Sequence, residues 1–248
     1  LTTLTSFLQN NYSLTAIPGG LLDDCTLVSN FQSCFAACIN LTAIPSGLFD
    51  TNTAATTFQA CFSFSGLTSI PTGLFDNNTS VTTFRDCFSY CNNLTTVPAG
   101  LFNNCTLATN YNNCFFNCAL TQQSVDNVLA SLVAAGASNG TIGLDGGANA
   151  APSAAGLADK ATLESRGWTV NVNGGGIANE IIAYKSTVET AGGTVTDSET
   201  ELWNLFFAEV YDDGNSGTGN VGQFKDKFDL LWIPGLDLTT IAKPLIGS

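Results

Sequence analysis

Nine cysteines, twenty acidic side chains and a periodic set of threonines are the groups in this 248-residue chain whose chemistry could matter. All nine Cys lie between positions 25 and 118 and recur in register. Cys34, Cys61, Cys87 and Cys114 share one position of a repeat; Cys38, Cys91 and Cys118 share another, where Ser65 replaces a fourth; Cys25 and Cys105 share a third. Three roles are open to them. Cys-x3-Cys pairs are possible thiolate ligands for zinc, neighbouring copies could be cross-linked in an oxidising compartment, and a free Cys packs as a small hydrophobe. Every pair sits beside Phe on an apolar stripe and nine is an odd number, so the buried, unliganded role is the expected one, with no metal and no cofactor.

The remaining ionisable groups point away from catalysis. The chain has no His, which removes Ser-His-Asp triads, Cys-His dyads and His-ligated metals. Residues 1–120 carry one Arg (Arg85) and five Asp (Asp23, Asp24, Asp50, Asp76, Asp86), leaving no evident carboxylate pair for glycoside hydrolysis. Asp50 and Asp76 follow Gly-Leu-Phe at equivalent positions, where a loop-capping carboxylate is expected. A formal net charge of −13 disfavours nucleic acid and anionic membranes as partners. No apolar run reaches the roughly 20 residues of a membrane-spanning helix. Charged residues make up only 11% of the chain, well below the roughly 25% usual for soluble domains, so Asn, Thr and Ser must supply the polar surface. The chain opens on Leu1 and contains no Met, as expected after loss of a leader or for a segment of a longer product.

The elements that position these groups follow from an internal repeat. The block Leu-Thr-x-Ile/Val-Pro-x-Gly-Leu starts at Leu14, Leu41, Leu67 and Leu94, and Leu120 opens an unfinished fifth copy, at spacings of 27, 26, 27 and 26 residues. Such a period indicates stacked coils. About 17 residues into each copy comes a second pattern: Phe31, Cys34, Phe35, Cys38; Phe58, Cys61, Phe62, Ser65; Phe84, Cys87, Phe88, Cys91; Tyr111, Cys114, Phe115, Cys118. Offsets of 0, 3, 4 and 7 predict one stripe of a short helix. Leu-Thr-x-Ile predicts a brief strand ended by Pro18, Pro45, Pro71 or Pro98. Stacking buries both sides in one core, which should contain Phe31, Cys34, Phe35, Phe58, Cys61, Phe62, Phe84, Cys87, Phe88, Cys114 and Phe115. Thr15, Thr42, Thr68 and Thr95, one per copy, then form an outward hydroxyl row, a candidate binding face for carbohydrate or protein and equally what an exposed strand prefers.

Leu-Thr-Ser-Ile-Pro-Thr-Gly-Leu-Phe-Asp (67–76) followed by Phe-x-x-Cys-Phe-x-x-Cys (84–91) resembles the BspA-type leucine-rich repeats of bacterial surface proteins and phage tail or other virion proteins, over roughly residues 1–120. The resemblance implies a right-handed α/β solenoid and non-enzymatic binding, and it brings no catalytic residues with it.

Residues 121–173 read as an α-β-α-β cap on the last coil. Thr121 or Ser124 caps a helix with Val125, Val128, Leu129 and Leu132 on its apolar face, ended by Gly136; a strand follows at 140–144, a helix from Ser153 to Arg166, and an alternation through Trp168, Val170 and Val172. The wording of this segment is similar to those that close such repeats in phage and bacterial surface proteins. Residues 177–248, after a Gly-rich joint, read as a small, mainly helical attachment region with an apolar tail at 224–246, and its 181–195 stretch is similar to a helical module of phage tail and virion proteins. The acidic loop from Asp212 to Asn220 lacks the ligand order of a calcium loop.

The expected function is a non-enzymatic recognition protein on the surface of a bacteriophage particle, tail-associated or decorating. Its repeats would meet host-surface carbohydrate or protein, and residues 177–248 would contact other virion or surface proteins. A bacterial cell-surface adhesin is the alternative, extracellular in the same sense, and a polysaccharide-degrading enzyme is a third reading.

Overall fold

The computed structural model describes residues 1–173; the attachment region expected at 177–248 lies outside the described residues. Each copy of the repeat is bonded, backbone to backbone, to the copy after it. Phe31, Ser33, Phe35 and Ala37 donate their N–H groups to the carbonyls of Thr57, Gln59, Cys61 and Ser63, and Phe58, Ala60, Phe62 and Phe64 repeat the pattern onto Thr83, Arg85, Cys87 and Ser89. The intervening residues donate three positions back within their own copy, as Cys34 does to Phe31 and Ala36 to Ser33.

This alternation corrects the expected short helix. A helix would send every N–H four residues back along the chain; here half of them leave for the neighbouring copy. The chain achieves this with left-handed residues four apart, Ser33 and Ala37 (φ 55° and 57°), Ala60 and Phe64 (52° and 58°), Asp86 and Tyr90 (56° and 60°). The run is therefore a series of turns with a period of four. It still turns Phe31, Cys34, Phe35 and Cys38 inward, because residues at i, i+3, i+4 and i+7 share a side for a period of 4 as they do for 3.6.

The strands expected at Leu-Thr-x-Ile are likewise reduced, to a bridge between Ser69 and Thr96 with bonds from Thr68 to Thr42 and from Ile70 to Thr96. The proline that follows has no N–H to extend them. The longer ladder lies elsewhere, just before the buried Leu4, Phe31, Phe58, Phe84 and Tyr111: Thr3, Asn30, Thr57, Thr83 and Asn110 are bridged in parallel, one residue per copy.

That ladder becomes a sheet after the fourth copy. β1 (Asn110–Tyr111), β2 (Thr141–Leu144) and β3 (Thr169–Val172) are parallel, with Asn110 opposite Thr141 and Thr141 opposite Thr169. The crossovers are α1 (Gln122–Ala135) and α2 (Ala154–Ser165). Thr121 caps α1 by accepting from the Ser124 N–H, and Gly136 ends it at φ 80°; Ser153 caps α2 by accepting from Ala155 and Gly156. Ser124 also ties α1 to the repeats, donating to the Thr95 carbonyl (2.9 Å) and accepting from the Val97 N–H (3.0 Å).

The interior is a zipper of rings. Phe31, Phe58, Phe84 and Tyr111 stack at centroid separations of 5.4, 5.7 and 5.3 Å, and Phe35, Phe62, Phe88 and Phe115 at 5.4, 5.6 and 5.5 Å. Phe49, Phe75 and Phe102 insert between the columns, as where Phe75 meets Phe58 and Phe84, each at 4.8 Å. All eleven side chains expected in the core are fully buried.

Candidate functional site

The threonine row stands on the outer surface: Thr15, Thr42, Thr68 and Thr95 are all exposed. Thr68 donates its N–H to the Thr42 carbonyl and Thr95 to that of Thr68 (3.3 and 3.1 Å), and Thr121 continues the series onto Thr95. No such bond joins Thr42 to Thr15 among the described residues, so three of the four threonines form a linked row. The Thr95 hydroxyl is partly engaged, 3.4 Å from the Thr68 carbonyl.

The other ladder, missed at the sequence level, is more occupied. Its side chains cap the turns that follow: Asn30 accepts from the Gln32 N–H (2.8 Å), Thr57 from Gln59 (3.1 Å), Thr83 from Arg85 (3.2 Å) and Asn110 from Asn112 (3.2 Å). This explains why only Thr and Asn fill the position in these copies: a short side chain with an acceptor two residues ahead of an N–H closes an ST- or Asx-turn. The Thr/Ser/Asn pair preceding each Phe or Tyr was the available signal.

Among the described residues the repeats show no carboxylate pair, and in the cap burial and then the neighbouring Asp126 raise Asp159 above the usual carboxylate range. Asp23, Asp50 and Asp76 are exposed, and their Oδ2 atoms lie 3.0–3.1 Å from where a Cβ would stand on Gly20, Gly47 and Gly73, all at φ 72–74°. Each Asp therefore folds over the glycine three residues earlier, and the left-handed backbone at that glycine is what disfavours a side chain there. Arg85 pairs with adjacent Asp86 at 3.2 Å, with half of its side chain exposed. No group of three or more His, Cys, Asp or Glu suitable for a metal ion occurs among the described residues.

The thiols are inside and free. All nine Cys are unpaired, and only Cys25 is less than fully buried. Burial pushes the Cys34 and Cys105 thiols up to about 12 and Cys91 to about 11, and raises Cys61, Cys87, Cys114 and Cys118 well above the usual range. Neighbouring thiols add to this at Cys34, Cys61, Cys87 and Cys118, since one thiolate would repel another. Cys38, Cys91 and Cys118 lie 3.2 Å from the carbonyls of Leu8, Phe62 and Phe88 in the preceding copy and donate to them. Neutral, buried and acting as donors, they are poor nucleophiles. The position of Cys25 and Cys105 holds Asn52 and Asn78 in the middle copies, fully buried, each donating to two carbonyls of the preceding copy.

The apolar side chains that the surface exposes include Leu27, Ile39 and Leu107 and, next to one another, two rings. Phe64 is 50% and Tyr90 38% accessible, and their rings stack at 4.3 Å with 6° between planes. Phe116 closes the far side of Tyr90 edge-on, at 5.5 Å and 73°. Neither Phe64 nor Tyr90 belongs to the inward stripe, and their shared repeat position was the only sequence signal. No family model matches the chain, and no curated protein matches it.

Proposed function

We propose that residues 1–120 are leucine-rich-repeat-type solenoid coils closed by the 121–173 cap, and that the chain is a non-enzymatic recognition protein carried on a bacteriophage particle, tail-associated or decorating. One observation carries the reading. The copies are bonded edge to edge and leave an outer surface of hydroxyls and amides with scattered apolar side chains, while every thiol but that of Cys25 is buried. Such a surface makes many weak, geometrically regular contacts. The polar surface, nearly free of positive charge, suits a carbohydrate or a flat protein of the host envelope better than a polyanion. Residues 177–248, outside the described part, are assigned the attachment to other virion proteins.

Immunogold electron microscopy of the native source tests the location: label on tails or capsids supports the proposal, and label on a cell envelope replaces it with a bacterial adhesin. Release of reducing sugar from a polysaccharide by the purified chain would overturn the non-enzymatic reading.

A further inference from the structure

Asn10, Ala37, Phe64, Tyr90 and Asn117 occupy one position in successive copies and share one backbone conformation, with φ of 61°, 57°, 58°, 60° and 55°. The conformation is imposed by the stack. Residues at this position turn their N–H toward the next copy, Asn10 to Ala36, Ala37 to Ser63, Phe64 to Ser89 and Tyr90 to Phe116, at 2.7–2.8 Å. Asn accepts the left-handed region because its short amide tolerates it. Phe and Tyr have no such compensation, and a bulky residue at positive φ is an outlier. Their rings also remain in water, with 50% and 38% exposure. Two independent costs therefore fall on the same two side chains, and stacking against each other offsets only part of them.

The pair is closed at one end only. Phe116 covers Tyr90, and Gly146 lies against Phe116 so closely that a Cβ there would come within 2.6 Å of the ring. At the other end Phe64 has no second ring partner among the described residues, because its column continues with the methyl group of Ala37. The column is thus missing one ring-sized step, at Ala37 and ahead of the exposed Asn10. We propose that this step is a subsite for a neutral sugar residue, whose apolar face stacks on the free face of Phe64 while its hydroxyls meet the Asn10 amide. The occupant is chosen by charge and shape. No Lys, Arg, Asp or Glu stands at this position in any copy, so a uronate or sulfated unit gains no ion pair, whereas a pyranose has the ring-sized apolar face that the step lacks. The inference deepens the recognition role proposed above and rests on it.

The test is affinity electrophoresis of the full chain in native gels cast with laminarin, galactomannan or glucomannan, with alginate as the anionic control. Phe64→Asn replaces the ring with the residue that the fold already carries at Asn10 and Asn117, so it should melt no lower than the parent. Ala37→Phe fills the step with the residue found at position 64. Retardation by at least one neutral polysaccharide, weakened about tenfold or more by either substitution, is the expected result, a change of about 1.4 kcal/mol. Equal retardation of parent and Phe64→Asn would overturn the subsite while leaving the recognition role in place. No retardation in any neutral gel, or retardation by alginate alone, would refute the neutral sugar. Concentration-dependent association in sedimentation, lost in Phe64→Asn, would show that a second copy covers the rings and would equally refute it. Particle labelling by microscopy reports on the recognition role separately, so the two can fail independently.

Discussion

The interior thiols make the stability of the repeats steeply dependent on alkaline pH. In the unfolded chain a Cys titrates near about 8.5. In the folded one burial raises Cys34, Cys61, Cys87, Cys91, Cys105, Cys114 and Cys118, to about 11 for Cys91 and about 12 for Cys34 and Cys105. A folded-state value above the unfolded one means that the contribution is fully present below pH 8.5 and is lost as pH rises toward the folded value, because only the unfolded chain releases its protons. Between pH 8.5 and 9.5 each such thiol should remove about 1 kcal/mol. Seven of them, acting independently in the unfolded chain, remove about 7 kcal/mol, as much as the entire stability of many domains.

Urea unfolding followed by far-UV circular dichroism, with a phosphine reductant at pH 7.0, 8.5 and 9.5, should therefore show a nearly constant midpoint up to about pH 8 and a collapse by about pH 10. Replacing Cys61, Cys87 and Cys114 together by Ala removes three of the seven and should shrink the loss over that unit of pH by about 3 kcal/mol, whatever it does to stability at neutral pH. A decline of less than about 1 kcal/mol between pH 7.0 and 9.5 under reductant would refute the reasoning, because thiols that are hydrated or paired would show no such linkage.

Other substitutions probe the packing. Phe88→Ala removes a ring held between Phe62 (5.6 Å) and Phe115 (5.5 Å) and should cost about 3–5 kcal/mol in a urea melt. Asn78→Ala strips the Phe49 and Asn52 carbonyls of their buried donor and should cost about 2–4 kcal/mol; Asn78→Cys, the residue found at the equivalent positions 25 and 105, retains one donor and should cost less than Ala in the same assay. Gly66→Ala places a Cβ 2.4 Å from the Ile39 carbonyl oxygen, in a copy one residue shorter than its neighbour at this turn, and should lower stability by about 1–3 kcal/mol, read from the midpoint.

What the sequence discloses here is burial rather than backbone. The interval between Phe31, Cys34, Phe35 and Cys38 identifies the inward side chains because hydrophobic pattern depends only on which side a residue faces. It does not separate a helix from turns of period four, since the difference lies in where the N–H groups point, and half of the donors find acceptors about 26 residues along the chain. Local propensity has no access to that choice. The two helices of residues 121–173 were easier to read because their determinants are local: Thr121 and Ser153 accept from their own first turns, and Gly136 ends the first with a left-handed residue.

The same division explains why the exposed rings went unread. At positions 31, 58, 84 and 111 the core selects the residue type, and at positions 30, 57, 83 and 110 the turn that follows selects it. At positions 10, 37, 64, 90 and 117 the fold demands a left-handed backbone and nothing of the side chain, as Asn, Ala, Phe and Tyr all occur there. A repeat scaffold places its variation at such positions, where a substitution disturbs neither the ladder nor the ring zipper. Periodicity marks what successive copies share, so a site confined to two copies is visible only against a structure that says which departures from the repeat carry a cost. Phe64 and Tyr90 carry that cost in both backbone conformation and exposure. The fold needs neither ring, so what retains them should be a contact made outside the fold.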